Sequence, residues 1–152
     1  MNITLIFFGS KSPDYHSLYQ KEINKIKQFK YNIKLLQLGE DKNSNLELKK
    51  KKETLAIIEK IPKNAQTFLF SERGKLISSM DFSTTLNHAN ICYIIGGSEG
   101  VDEDLIRQLR PDIIFLSLGK IVFPHKIFKL IVLEQIYRGL TIKYNRKYHR
   151  GS

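Results

Sequence analysis

Short apolar segments alternate with helix-period segments from one end of this chain to the other, and that alternation limits the fold more than any other feature. Residues 2–8 form an apolar strand. Ser12-Pro13-Asp14 then opens a helix, with Ser12 as N-cap and Pro13 at the first helical position, where its missing N–H costs nothing. Tyr15, Leu18, Tyr19, Ile23 and Ile26 recur along it at spacings of three and four. Residues 33–38 form the second strand. Residues 46–60 form the second helix, with Leu46, Leu48, Leu55 and Ile58 as its apolar positions and Pro62 as its stop. Residues 67–70 are the third strand and lead into a polar loop at 71–75. Asp81 is placed to cap a short helix through Leu86. Residues 91–95 are a buried fourth strand, 102–109 a helix with acids in its first turn, and 112–116 the fifth strand. A loop at 117–124 then enters a long apolar helix to about Tyr137, followed by a basic tail.

Five strands alternating with helices predict an α/β fold with a mainly parallel sheet and helices on both faces. No repeat, low-complexity linker or composition break divides the chain. Residues 1–150 are therefore expected to be one domain, with Gly151-Ser152 an added remnant. In such sheets ligands bind beyond the carboxyl ends of the strands. Three loops answer that description: 71–75, 96–100 and 118–123. Gly96-Gly97-Ser98-Glu99-Gly100 places three glycines in five residues between a strand and a helix, which lets the backbone turn sharply and approach a ligand. Its spacing matches neither a dinucleotide fingerprint nor a P-loop. The loop Leu118-Gly119-Lys120-Ile121-Val122-Phe123 is apolar apart from Lys120, which suits a base held by main-chain hydrogen bonds.

Charge points to a polyanionic partner. The chain carries a formal net charge of +10. Residues 120–150 hold eight basic residues (Lys120, Lys126, Lys129, Arg138, Lys143, Arg146, Lys147 and Arg150) against one acid, Glu134, with Tyr137, Tyr144 and Tyr148 interleaved. Drift in amino-acid usage would spread lysines evenly and would not favour arginine. The Lys49–Lys52 run lies inside a helical pattern and reads as a solvated face, with RNA contact the lesser reading. The one cysteine, Cys92, sits in an apolar run, forms no disulfide within the chain and lacks neighbours for a metal site, so it is read as a core residue of a cytoplasmic protein. No apolar run reaches the roughly 20 residues that span a bilayer, and the N-terminal stretch lacks the pattern of a signal peptide.

Taken in order, Ile95-Gly96-Gly97-Ser98-Glu99-Gly100, then Leu116-Ser117 through Phe123-Pro124-His125, then Glu134-Gln135-Ile136-Tyr137-Arg138 and the closing Tyr148-His149-Arg150 resemble the ribosomal RNA large subunit methyltransferase H family. Gly9 and the Gly74-Lys75 pair fit it too, and the resemblance covers essentially the whole chain. It implies a SPOUT-class enzyme with a C-terminal trefoil knot, S-adenosylmethionine as cofactor, no metal, and a homodimeric state. It also implies methylation at N3 of a pseudouridine in the helix-69 loop of 23S rRNA in the assembled ribosome. Carried over by position, the cofactor residues are Phe70, Gly96, Leu118, Gly119, Lys120, Ile121, Val122 and Phe123. Phe70 stands where the family often has leucine, and Gly119 where serine is common.

Tyr148, His149 and Arg150 combine a stacking ring, a titratable imidazole and a phosphate-binding guanidinium. His149 is the first choice for the base that removes the N3 proton, with His125 the competing candidate. Arg138 and Arg150 are expected to position phosphates or stabilise developing charge, and Tyr148 to stack on a base. Residues 127–133 are apolar on nearly every side, which burial in a dimer or a central place in the monomer would each explain. Two other functions fit the same residues: a non-catalytic ribosome-binding module, and a SPOUT methyltransferase acting on transfer RNA.

Overall fold

The computed structural model describes residues 1–9 and 12–151. Its five strands are β1 (Asn2–Phe8), β2 (Asn32–Leu38), β3 (Gln66–Leu76), β4 (Asn90–Ile94) and β5 (Ile114–Ser117). They form one sheet in the order β2-β1-β4-β3-β5, and every pairing is parallel. The helices are α1 (Pro13–Lys27), α2 (Leu46–Lys60), α3 (Ser79–Thr84), α4 (Glu103–Leu109), α5 (His125–Lys143) and α6 (Tyr148–Gly151).

The run Ile3-Thr4-Leu5-Ile6-Phe7-Phe8 is buried at every position because helices cover both faces of the sheet. Side chains alternate along a strand, so Ile3, Leu5 and Phe7 join Phe68, Phe70 and Tyr93 under α1, α3 and α5. Ile6 and Phe8 join Leu69, Cys92 and Ile94 under α2 and α4. Burial pushes the Cys92 thiol up to about 12, and its reading as a core residue holds.

Four features differ from the sequence reading. Strand β3 runs on to Leu76, but its ladder with β5 breaks between Phe70 and Lys75, and both residues that flank Leu116 in the register belong to β3. Residues 71–74 thus bulge out of the ladder, which explains why they look like a loop. Ser78, not Asp81, caps α3. The Ser78 hydroxyl accepts from the Asp81 N–H (3.1 Å) and the Asp81 carboxylate accepts from the Ser78 N–H (3.0 Å), a capping box. Helix α2 buries Glu53, Thr54 and Ile57 and leaves Leu46, Leu48 and Leu55 exposed. Its buried face is set by what the glycine turn after β4 requires, not by apolar spacing. Helix α5 continues past Tyr137 to Lys143 and buries Val132, Leu133, Ile136 and Leu140 within the monomer, so most of its apolar character is accounted for by the core.

Gly74 is where β3 and β5 meet most closely. A Cβ there would lie 2.6 Å from backbone atoms of Phe115 and Leu116, closer than any real contact. Gly39 faces open space. Gly74→Ala is expected to destabilise the fold by about 1–3 kcal/mol through overpacking against backbone, whereas Gly39→Ala leaves it nearly unchanged; urea unfolding midpoints check both.

Candidate active site

The carboxyl edge of the sheet gathers the predicted ligand loops. A cleft of ≈ 190 Å³, partly open to solvent, lies over the ends of β3, β4 and β5. It is lined by Phe70, Gly96, Leu118, Gly119, Ile121, Val122 and Phe123, which are all the predicted cofactor residues except Lys120. Lys120 is not among the lining residues. Ile95 and Phe128 extend the apolar wall, and His125 stands at the rim. The glycine turn is held tightly from behind. A Cβ on Gly97 would come within 2.5 Å of the Glu53 Oε1 atom, and Glu53 is buried with its other oxygen accepting the Asp41 N–H at 2.8 Å. Thr54 supports the same turn, its hydroxyl accepting the Asp102 N–H at 2.9 Å. Gly119 has φ +126°, a conformation that favours glycine, so its presence in the loop is required by the backbone.

The polar side of the cleft comes from the β3 bulge. Glu103, in the first turn of α4, accepts from the Ser71 hydroxyl at 2.7 Å and pairs with Arg73. Burial raises the Glu103 carboxyl, but the hydrogen bonds from Arg73 and Ser71 outweigh it, and the group stays below the ordinary carboxylate range. Sequence reading missed this pair. An arginine and a glutamate 30 residues apart carry no local signal, and only the bulge brings them together.

The predicted catalytic residues form a second cluster at the far end of α5. The Arg138 guanidinium pairs with Glu134 (2.9 Å) and donates from Nη1 to His149 Nδ1 at 3.2 Å. The Tyr148 hydroxyl donates to the same carboxylate at 2.9 Å, and its ring lies under the Arg138 guanidinium (4.8 Å) and edge-on to Tyr137. Glu134 thus holds the cluster, although the sequence reading gave it no role beyond its place in the Glu134–Arg138 segment and as the one acid in a basic stretch. Arg150 lies on the backbone of α6, and its side chain is outside the described residues. A guanidinium can only donate, so Nδ1 of His149 is the acceptor and the neutral ring carries its proton on Nε2. From Phe128 in the cleft to Arg138 is ten residues, roughly 15 Å along the helix. Within one chain the two predicted halves of the site are therefore apart.

Similarity to known proteins identifies the family of the chain. The sequence pattern of the family described as "Predicted SPOUT methyltransferase" matches residues 1–149. The ribosomal RNA large subunit methyltransferase H of Mesomycoplasma hyopneumoniae strain J is 62% identical over 151 residues, covering 99% of each chain. That of Mycoplasmopsis synoviae is 44% identical over 152 residues, covering 99% of this chain and all of the relative. This chain belongs to that methyltransferase family. Its fold is also that of a methylase family protein from Haemophilus influenzae, at TM-score 0.51 and 11% identity over 94% of this chain and 66% of the other. A Bacillus anthracis structure provisionally described as an RNA methyltransferase superposes at TM-score 0.50 and 10% identity, over 90% and 93%. Among the described residues no helix is long and apolar enough to cross a membrane.

Lys129 is the one strongly perturbed cation among the described residues. It lies half-buried on α5 with its ammonium 3.6 Å from the centre of the Phe7 ring and 4.1 Å from that of Tyr19. Burial lowers it to about 8. The unfolded chain, with lysine near its ordinary 10.4, then binds more protons than the folded one from about pH 8 to pH 10, so this group's contribution to stability rises with pH across that window. Urea midpoints of the native chain should rise relative to those of Lys129→Met between pH 7.5 and 9.5; parallel curves would contradict the burial cost.

Proposed function

We propose that this chain methylates N3 of a pseudouridine in the helix-69 loop of 23S rRNA in the assembled ribosome, using S-adenosylmethionine and acting as a homodimer in the cytoplasm. One observation carries the reading. The cleft at the carboxyl edge is lined by Phe70, Gly96 and the 118–123 loop, in a chain 62% identical to an rRNA large subunit methyltransferase H. The lining suits the cofactor. Backbone at Gly96, Gly97 and Gly119 lines the cleft with amide and carbonyl groups, and Ile95, Leu118 and Phe128 give an apolar wall for adenine. Bound there, the cofactor supplies an electrophilic methyl group.

The protein's own task is to hold the target base at attack distance and to favour loss of its N3 proton. As that proton leaves, negative charge spreads onto the carbonyl oxygens of the base. His149, with Nδ1 engaged by Arg138, offers Nε2–H to one of those oxygens. It serves as the base itself only after turning away from Arg138. The Glu134–Arg138 pair fixes the imidazole, and Tyr148 presents a ring for stacking. The roughly 15 Å between this cluster and the cleft on the same helix supports a site completed by the tail of a second copy. Ile121 and Val122, about three-quarters exposed at the lip of the cleft, supply apolar surface for that contact. The same reading includes the C-terminal knot.

Tritiated methyl transfer, run in parallel on whole ribosomes, separated subunits and transfer RNA, tests the substrate; labelling of transfer RNA alone would overturn the reading. His149→Ala is expected to cost about 10²–10³ in turnover, the usual loss for one donor to a developing oxyanion. His149→Gln, whose amide N–H reaches a similar place, should keep at least about tenfold more than the alanine variant; equal losses would assign His149 as the base instead.

A further inference from the structure

A second cavity, of ≈ 230 Å³, lies beside the cofactor cleft at the same edge of the sheet, between the end of β1 and the first turns of α1 and α5. It shares Ile95 and His125 with the cleft, so the two are neighbours across one residue of wall. Lys126 and Lys129 enter it from α5 and Ser98 from the glycine turn; Glu40 is the one acid among its described lining residues.

Three basic residues, His125, Lys126 and Lys129, stand in the first five positions of α5 with no acid among them. Cations at a helix N-terminus oppose its dipole, so helix stability does not account for them. Core packing does not account for Lys129 either. Its ammonium is drawn over the Phe7 and Tyr19 rings, half-buried, and forms no ion pair among the described residues. Lys25 and Lys143, the other lysines described over tyrosine rings, have a carboxylate (Glu22, 3.1 Å) and a carbonyl (Leu86, 3.0 Å) to bond. The Lys129 cradle is also fixed in advance. The buried Tyr19 donates its hydroxyl to the Lys126 carbonyl at 2.8 Å, which locks the first turn of α5 over the ring that Lys129 lies on. A half-buried cation that forms no ion pair among the described residues, beside a second lysine and a hydroxyl, is the arrangement that an incoming phosphate oxygen stabilises.

We propose that this cavity is an RNA-phosphate subsite in which Lys129 and Lys126 bind a phosphodiester of the substrate next to the methylated nucleotide. The subsite rests on the reading of this chain as an rRNA methyltransferase, and it places one stretch of the RNA backbone on the same protomer that holds the cofactor. It assigns a role to Lys129 that neither the cleft nor the His149 cluster requires.

The test is filter binding of the full-length protein to whole ribosomes over a series of KCl concentrations. The proteins compared are the native chain, Lys129→Met, Lys126→Gln and the double variant, with Lys63→Gln, exposed at the opposite edge of the sheet, as control. Each subsite substitution is expected to weaken binding about 5–20-fold near 0.1 M salt and to reduce the slope of log affinity against log salt by roughly one, the share of a single phosphate contact. Calorimetry with S-adenosylmethionine on ribosome-free protein should give a dissociation constant within about twofold of native for all of them. Salt slopes unchanged in both Lys129→Met and Lys126→Gln would overturn the subsite. Native protein that binds the cofactor but labels no ribosomes would overturn the enzymatic reading beneath it, a result that the salt slopes cannot imitate. Lys126→Gln, an exposed change, keeps the test decisive if Lys129→Met folds poorly.

Discussion

The backbone contact at Gly74 is the constraint on which the site depends. Strand β5 lies against the outer part of β3 so closely that no side chain fits between them, with Phe115 and Leu116 backbone atoms 2.6–2.8 Å from where a Cβ would stand. Because β3 must make room, it throws out residues 71–74, and the register resumes only at Lys75. That excursion carries Ser71 and Arg73 to Glu103 and builds the polar wall of the cleft. The missing methyl group at Gly74 therefore lets the polar wall of the cleft form beside β5.

A second device works behind the glycine turn. Buried carboxylates are costly unless bonded, yet α2 turns Glu53 inward with one oxygen bonded to the Asp41 N–H and the other against Gly97. Helix α2 accepts exposed leucines at 46, 48 and 55 in exchange. A helix that hides a glutamate and shows its leucines has been fitted to its neighbour, and that neighbour is the turn at the mouth of the cleft.

Much of this was legible in the residues, and the parts that were not share a cause. The parallel, doubly covered sheet followed from the uninterrupted burial of β1 and β4, and the loops that line the cleft from glycines placed at strand ends. The α2 face, the β3 bulge and the Ser71–Arg73–Glu103 group were not legible. Each depends on a partner 30 or more residues away, and periodicity reports only what an element does by itself. Glu134 shows the same limit. It was read as the one acid in a basic stretch and as part of the Glu134–Arg138 segment, with no role assigned, whereas its carboxylate bonds Arg138, Tyr148 and Gln135 together. Capping was only partly readable: the Ser78–Asp81 box contains the predicted aspartate, but in its return position, three residues after the cap.

Helix α5 has the most consequential geometry. It starts at the cleft, ends at the Arg138–His149 cluster, and spans 19 residues, roughly 28 Å. Val132, Leu133, Ile136 and Leu140 are sealed against the sheet, α1 and α3, and Gly139 sits so close to α3 that a Cβ would meet Leu86 at 2.7 Å. A rod held this firmly cannot bend to bring its ends together. If donor and base-handling groups are to act on one nucleotide, a second molecule must close the distance, either the RNA lying along the helix or another copy presenting its own tail. The half-buried Lys129 stands between the two ends, nearer the cleft, where a phosphate of that RNA would be held while its base is methylated.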